Sequence, residues 1–449
     1  MKPIKKLLIA NRGEIALRIN RACHDMGIQT VAVHSKVDES AMHVRLADAA
    51  VCIGPNESAK SYLNQPAILT AALMSGADAI HPGVGFLAED AGFAQKVIDH
   101  GLTFVGPSPE HIQMMGDKVE ARAKAVELGL PVVPGSEGII KTVAEAQAVA
   151  EEVGYPVLMK ASGGGGGRGM RVIECAEDVA DSMKSCQAEA LAAFGDDTVF
   201  IEKYLSHPRH IEFQVLADSH GNVIHLGERD CSIQRRHQKV IEEGPSVALS
   251  AEKRNEIGKI ITDALLKLGY LGAGTLEFLY QDDEFYFIEM NTRLQVEHPV
   301  TESITGIDIV RHQLRVAGGE VLPYKQEDVH IDKHCIECRI NAEDPITLMP
   351  RPGEVTDYLA PGGIGVRVDS ALYAGYSVPP YYDNLVAKLV VTGRTREQCI
   401  ARTKRALKEY FIGPLQTNIP LHLRILEQPE FIEGNYNIHW LERMLDRQS

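Results

Sequence analysis

Glu289-Met290-Asn291-Thr292-Arg293-Leu294-Gln295-Val296-Glu297-His298-Pro299 places two carboxylates, a carboxamide, an arginine, a glutamine and a histidine in one short run. The preceding Phe285-Tyr286-Phe287-Ile288 is aromatic and β-branched and predicts a strand. Side chains two apart on a strand share a face. Glu289 and Asn291 therefore set two oxygen ligands side by side, the donors a hard cation such as Mg²⁺ takes. Arg293, Gln295 and Glu297 repeat the spacing and offer a planar cation, an amide and a base to a small anion.

Just upstream, Thr275-Leu276-Glu277-Phe278-Leu279 alternates as a strand does, and Gln281 to Glu284 supplies a polar turn. The two strands form a predicted hairpin that brings Glu277 and Glu289 close across it. Like charges so placed repel unless a cation lies between them, which points to a metal bound jointly with nucleotide phosphates. Further upstream, Ser162 to Met170 reads S-G-G-G-G-G-R-G-M, directly after the predicted strand Val157-Leu158-Met159-Lys160. Consecutive glycines let backbone amides approach phosphate oxygens, and Lys160 and Arg168 bracket the loop with positive charge. No Gly-Lys-Ser/Thr follows, so this is a phosphate-covering lid rather than a Walker loop. A second basic cluster, Gln234-Arg235-Arg236-His237-Gln238-Lys239, follows Glu228-Arg229-Asp230-Cys231 and reads as an anion pocket.

The first hundred residues alternate strand and helix signals: strands at Lys6 to Ala10, Thr30 to His34, Ala77 to Ile80 and Thr103 to Val105, with helices at Glu14 to Met26 and Pro66 to Gly76. This pattern predicts a doubly wound parallel sheet whose strands empty into Asn11-Arg12-Gly13-Glu14 and His81-Pro82-Gly83-Val84-Gly85-Phe86. Ligands gather at such strand ends, but the first loop lacks G-x-G-x-x-G, which disfavours a dinucleotide-dependent oxidoreductase. A helix is expected from Glu110 to Leu128, then a small α/β unit from Pro131 to Tyr204 and a strand-rich segment to about Gly319. From Tyr324 strands come first, and helices near Arg396 to Tyr410 and Leu421 to Leu426 close the chain.

A length of 449 residues suggests about three domains. The net charge of −15 argues against nucleic acid or an anionic membrane as the main partner, so any anion site must be a local concentration of basic groups. No secretion signal or membrane span is visible, and the eight cysteines form no disulfide-type pattern, which suggests a cytoplasmic, reduced protein. Cys335-Ile336-Glu337-Cys338-Arg339-Ile340 reads as a strand with alternating burial rather than half of a zinc site.

Taken together, the glycine lid after a lysine strand, the Glu277/Glu289/Asn291 hairpin and the Arg293–Glu297 run resemble the ATP-grasp enzymes, and among these the biotin carboxylases. The resemblance runs from Ile9-Ala10-Asn11-Arg12-Gly13-Glu14-Ile15-Ala16 to Asn437-Ile438-His439, and it includes Glu337-Cys338-Arg339-Ile340-Asn341-Ala342-Glu343-Asp344. It implies an α/β and α+β multidomain fold. An N-terminal doubly wound α/β domain spans 1–114, an ATP-grasp domain spans 115–325 with a mobile glycine-rich lid at about 131–204, and a mixed β/α C-terminal domain spans 326–449.

The resemblance also implies roles. Lys118 and Lys160 hold ATP phosphates beneath Gly166 and Gly167. Glu202-Lys203-Tyr204-Leu205 is the hinge gripping adenine, and His210, Gln234 and His237 line the nucleotide site. Glu277, Glu289 and Asn291 bind Mg²⁺ or Mn²⁺, at two sites. Arg293, Gln295, Val296 and Lys239 bind bicarbonate, Glu297 is its base, and Arg339 faces the biotin ureido oxygen. The family usually carries tyrosine where this chain has Val84, which removes an aromatic surface near the biotin end. The nearest string to a biotin-attachment Met-Lys-Met turn is Ser182-Met183-Lys184-Ser185, so biotin is expected on a separate biotin carboxyl carrier protein, with a separate carboxyltransferase using the product. A homodimer and an acetyl-CoA carboxylase assembly are further implications; propionyl-CoA or pyruvate carboxylase assemblies are compatible. The competing readings are another ATP-grasp carboxylate–amine ligase and an ATP-binding scaffold subunit without catalysis.

Overall fold

Leu7, Leu8 and Ile9 are buried on both faces, as a central strand of a covered parallel sheet requires. Their strand, Lys6–Ile9, lies between Gln29–Ser35 and Ala79–His81, and Ala49–Gly54 and Thr103–Phe104 complete a five-stranded sheet with every pairing parallel. The computed structural model describes residues 3–136, 138–161, 169–194 and 197–447. Ala49–Gly54 is a strand the sequence reading did not expect: it is an edge strand whose Ala49, Ala50 and Cys52 are exposed, so no apolar alternation marks it. The helix Ala91–Asp99, capped by Asp90 on the Phe93 amide, was likewise unexpected.

The expected helix from Glu110 to Leu128 is two helices, Pro109–Gly116 and Lys118–Leu128. Asp117 between them is extended, and its carboxylate accepts from the Val119 and Glu120 amides as the N-cap of the second helix. The Asp117-x-x-Glu120 start signal is legible in the chain, and periodicity alone hides it.

The main sheet has eight strands in the order Glu284–Asn291, Gly272–Gln281, Arg209–Ala217, Val223–Arg235, Gln238–Gly244, His334–Asn341, Leu385–Gly393 and Val366–Ser370, and every pairing is antiparallel. Strands from both sides of the expected 325/326 division thus share one ladder. The predicted hairpin is present, with Asp282 and Asp283 at positive φ in its two-residue turn.

Burial along His334–Asn341 does not alternate: Cys335, Ile336, Glu337 and Cys338 are all fully buried. The strand is internal, with apolar clusters on both faces, so the alternating pattern expected for a half-covered sheet does not apply. All eight cysteines are free thiols.

The small unit is a three-stranded sheet of Met170–Ile173, Val157–Ala161 and Val199–Lys203, packed against Val143–Val153 and Val179–Phe194 around its own core of Ile140, Val157, Met159, Ile173 and Ile201. Gly166, Gly167 and the rest of the glycine run lie outside the described residues. The N-terminal and main sheets are joined by a shared apolar cluster in which Ile9, Ile15 and Ile19 meet Leu216, Leu226, Leu294 and Leu314. The strand-end loops of the parallel sheet therefore abut the segment after Asn291.

Candidate active site

Register puts the chemistry in a row. Arg229, Glu212, Glu277 and Glu289 are successive cross-strand partners on four adjacent strands. Partners across an antiparallel ladder project to the same face, so one cation and three carboxylates line up along it. Glu212 is fully buried; its Oε1 accepts from Arg229 Nε at 2.6 Å and its Oε2 from Lys239 Nζ at 2.6 Å. Lys239 also donates to Glu277 Oε1 at 2.9 Å and to Glu297 Oε1 at 2.6 Å. An ammonium has three donors, and here three carboxylates take them. Burial opposes the charge on Lys239, but Glu212, Glu297 and Glu277 outweigh it and hold the ammonium well above its ordinary range.

Glu297 sits at the N-cap of the helix His298–Thr305, fully buried, with Oε1 on Lys239 and Oε2 accepting from an Arg339 terminal nitrogen at 2.9 Å. Burial disfavours its ionised form; Lys239, Arg339 and Arg229 more than offset this and keep it a carboxylate. Arg339 donates its Nε to Glu242 at 2.5 Å. Burial, with the charge of Glu297 adding to it, pushes the Glu242 carboxyl up to about 7 although Arg339 pulls the other way.

The strand ends at Asn291, so the expected period of two does not continue through Glu297. The residues from Thr292 to Glu297 are irregular, and side chains hold them in place. Arg293 donates from Nε to Glu89 Oε2 at 2.8 Å, from one terminal nitrogen to Asn291 Oδ1 at 2.8 Å, and from the other to Gln295 Oε1 at 3.1 Å. Gln295 and Asn291 in turn donate to Glu277 Oε1 at 3.1 and 3.0 Å. Arg293, Gln295, Glu297, Lys239, Arg339, Glu277 and Asn291, scattered over a hundred positions of the chain, thus form one connected cluster.

Among the residues expected at the nucleotide, His210 Nε2 lies 3.0 Å from Glu277 Oε2, and Gln234 is the buried cross-strand partner of Lys239. His237 is exposed at the hairpin tip at positive φ. Lys160 pairs with Glu202, and Arg122 approaches the same carboxylate at 3.6 Å. In the expected hinge, Lys203 and Tyr204 donate their amides to Pro134 and Pro156 carbonyls, and Leu205 is buried. Lys118 is exposed at the start of its helix, and its charge reaches Glu289. Val84 is half-buried, its carbonyl accepting from Asn11 Nδ2 at 2.8 Å. Gly83 belongs to the turn itself: it has positive φ, and a Cβ there would meet the Asn11 amide at 2.7 Å.

The donor set suits a hard cation. Glu289 forms no ion pair among the described residues, and its carboxyl is pushed up first by burial and then by Glu277, with Lys118 opposing. A carboxylate facing another carboxylate without a cation is the chemistry a divalent ion relieves. Among the described residues the tightest ligand groupings are His210, Glu212 and Glu277, and Glu212, Cys231 and Glu297, each within 4.8 Å. Asn291 Oδ1, expected as a ligand, is held here by Arg293.

Glu212 and Arg229 are central and had no assigned role in the sequence reading. A signal existed: His210, Glu212 and Gln214 alternate with Ile211, Phe213 and Val215 on one strand. Glu89, which holds both the Thr292 amide and Arg293, has no local signal, because that contact spans more than two hundred residues of chain.

Comparison with known proteins finds relatives along the whole chain. Residues 3–112 match the family model for the biotin carboxylase N-terminal domain, 117–325 the carbamoyl-phosphate synthase L chain ATP-binding domain, and 337–443 the biotin carboxylase C-terminal domain. The biotin carboxylase of Haemophilus influenzae is 56% identical over 98% of this chain and 99% of its own. A pyruvate carboxylase subunit of Methanothermobacter thermautotrophicus is 50% identical over 97% of this chain and 89% of its own. Among solved structures, a Campylobacter jejuni biotin carboxylase–β,γ-ATP complex superposes with a TM-score of 0.90 at 49% identity, covering 98% of this chain and 99% of that one. The biotin carboxylase domain of a thermophilic 2-oxoglutarate carboxylase bound to bicarbonate gives 0.94 at 47%, with 98% of each chain covered. The matched domains and the near-complete coverage converge: this chain belongs to the biotin carboxylase family, ATP-dependent ligases that carboxylate biotin.

Proposed function

We propose that the chain carboxylates biotin carried on a separate protein, through carboxyphosphate, and that the Lys239–Glu297–Arg339 chain is where bicarbonate is activated. The observation that carries this reading is Glu297: fully buried, and held between a lysine and an arginine 2.6 and 2.9 Å away.

Bicarbonate is a modest nucleophile until it loses its proton. In this reading it enters among Lys239, Arg293, Gln295 and the Val296 backbone, and Glu297 takes the proton. Lys239 has no donor to spare, so it accepts bicarbonate only by releasing a partner. Glu277 is the one whose Lys239-bound oxygen has further donors, Asn291 and Gln295, and its side chain is 8% exposed where Glu212 and Glu297 are sealed. Sharing Lys239 and Arg339 with a second anion weakens their hold on Glu297 and raises its basicity at the moment it is needed. The bicarbonate oxygen then attacks the γ-phosphorus of ATP, breaking the bond to the ADP oxygen and giving carboxyphosphate. This decomposes to CO₂ and phosphate; phosphate removes the ureido proton, and biotin nitrogen captures CO₂ while Arg339 steadies the ureido oxygen.

Glu277, Glu289 and Asn291 would hold Mg²⁺ or Mn²⁺, whose charge offsets that of the β- and γ-phosphate oxygens. Lys118 and Lys160 supply the remaining positive charge, with Glu202 to Leu205 along the adenine and His210, Gln234 and His237 lining the site; Gly166 and Gly167, outside the described residues, are proposed to contact the phosphates.

Lys184 lies within the helix Val179–Phe194, not in a turn, which supports a separate biotin carrier. No described helix is long and apolar enough to cross a membrane. The domain division at 114/115 and 325/326, a homodimer, a cytoplasmic site and a carboxyltransferase partner complete the reading. In support of the homodimer, the biotin carboxylase domain of the Hydrogenobacter thermophilus 2-oxoglutarate carboxylase is a dimer in its complex with MgADP and bicarbonate. The first half-reaction of acetyl-CoA carboxylase in fatty acid synthesis is the assembly we favour. Likeness to a pyruvate carboxylase subunit supports the second reading, a pyruvate carboxylase assembly. The test is ADP release with MgATP and bicarbonate, with and without biotin. Bicarbonate dependence with biotin stimulation supports the reading; ADP release indifferent to bicarbonate returns the carboxylate–amine ligase, and ATP binding with no ADP release returns the scaffold.

A further inference from the structure

Lys388 is a fully buried lysine that the proposed chemistry does not use. It lies on the strand Leu385–Gly393, directly opposite Arg339 on one side and Asp369 on the other. Its Nζ donates to the carbonyl of Val296 at 2.8 Å and lies 3.1 Å from Glu14 Oε1. Glu14 belongs to the first turn of the helix Gly13–Asp25, so one ammonium joins the N-terminal sheet, the main sheet and the irregular segment before Glu297.

Two observations separate this from a simple bond between layers. A buried ion pair is a poor adhesive, because desolvation cancels most of its attraction and an apolar pair of equal volume would hold the layers as well. What an apolar pair cannot do is fix a carbonyl. The segment from Thr292 to Glu297 lies between a strand and a helix, outside any ladder. Glu89 holds its start, through the Thr292 amide and Arg293. Lys388 holds its end, at the peptide that joins Val296 to Glu297.

We propose that Lys388 is a positioning residue for bicarbonate activation: by fixing the Val296–Glu297 peptide it keeps the Glu297 carboxylate between Lys239 and Arg339. Glu14 is the counter-charge that makes the buried ammonium tolerable. The Asn11-Arg12-Gly13-Glu14 loop thereby serves the site indirectly, through Lys388. The proposal rests on the reading of Glu297 as the base.

The test uses the full chain and three readouts: thermal midpoint, MgADP affinity, and the split of KM for bicarbonate against kcat in ADP release. Lys388→Met combined with Glu14→Gln removes the ammonium and the carboxylate paired with it; Asp369 keeps Arg367, and buried Glu337 loses a facing cation. The expected result is MgADP affinity within about twofold of the parent and a KM for bicarbonate raised about tenfold or more. Glu14→Gln alone leaves the Val296 hydrogen bond in place; its thermal midpoint should fall while its KM for bicarbonate stays within about twofold. That single variant carries the test if the double variant does not fold. An unchanged KM for bicarbonate in a folded double variant overturns the proposal, and so does an equal rise in Glu14→Gln. A parent without bicarbonate dependence removes the Glu297 reading first and this inference with it.

Discussion

The two sheets of this molecule treat charge differently. At the carboxyl ends of the parallel strands, three side chains of the first loop have dedicated partners: Asn11 donates to the Pro82 and Val84 carbonyls, Arg12 pairs with buried Asp38 at 2.7 Å, and Glu14 meets Lys388. Asp38 is further satisfied by Tyr62, and Arg12 lies over the Tyr382 ring. These groups are neutralised in pairs and closed. Along the antiparallel row the balance is uneven. Glu212, Glu277, Glu289, Glu297 and Glu242 crowd around Arg229, Lys239 and Arg339, and Glu289 has no cation of its own among the described residues. Paired charge is already satisfied within the fold; unbalanced charge at fixed positions waits for a ligand that completes it. The strand-end rule for parallel sheets pointed to the first place, and the candidate chemistry gathers in the second.

This contrast can be broken at several points. Glu297→Gln should reduce bicarbonate-dependent ADP release by about 100-fold to 10,000-fold, the span expected when a general base is lost. A loss below about tenfold would mean that another group takes the proton. Arg12→Met strands Asp38 in the interior and should cost about 3–5 kcal/mol in urea unfolding, with the KM for bicarbonate and for ATP within about twofold of the parent. If that substitution instead abolished turnover in folded protein, the strand-end loop would be part of the site and the comparison would fail.

Acid should unfold the two regions alike, through histidines rather than the site. Burial pushes His43, His81, His225 and His422 down to about 4. In the unfolded chain they titrate near 6.5. Between those values the unfolded chain binds more protons than the folded one, so stability present above about pH 6.5 is lost as pH falls toward about 4. Thermal midpoints measured across this window should drop steadily; a flat profile would show that the native interior accepts these protons. The smallest effect concerns Val84, half-buried beside Gly85. Val84→Tyr, restoring the aromatic surface, should lower the KM for free biotin by about threefold to tenfold, the scale of one added apolar contact. No change would remove Val84 as a determinant of biotin affinity.

Much of this was legible in the chain because local rules govern it. The Glu277–Glu289 hairpin was visible from two alternating runs and a polar turn, and register then sets the two carboxylates opposite each other. The alternation of the parallel sheet was likewise visible, except at Ala49–Gly54, where an exposed edge carries no apolar signature. What escaped was set by distance. Glu212 showed its period of two, but only a ladder between strands far apart in sequence places it against both Arg229 and Lys239. Glu89 and Lys388 reach the Arg293–Glu297 segment from separations of 204 and 92 residues, and no spacing rule spans such gaps. The burial of Cys335 through Cys338 on both faces follows from layers that the strand's own residues do not announce.

The most direct test of the central claim is transfer of labelled bicarbonate carbon to biotin by the purified chain. With MgATP present, the account predicts label on biotin, one ADP released for each carboxyl transferred at saturating biotin, and loss of both in Glu297→Gln. ATP cleavage that needs bicarbonate yet never labels biotin, free or carrier-bound, would contradict it, as would undiminished labelling by Glu297→Gln.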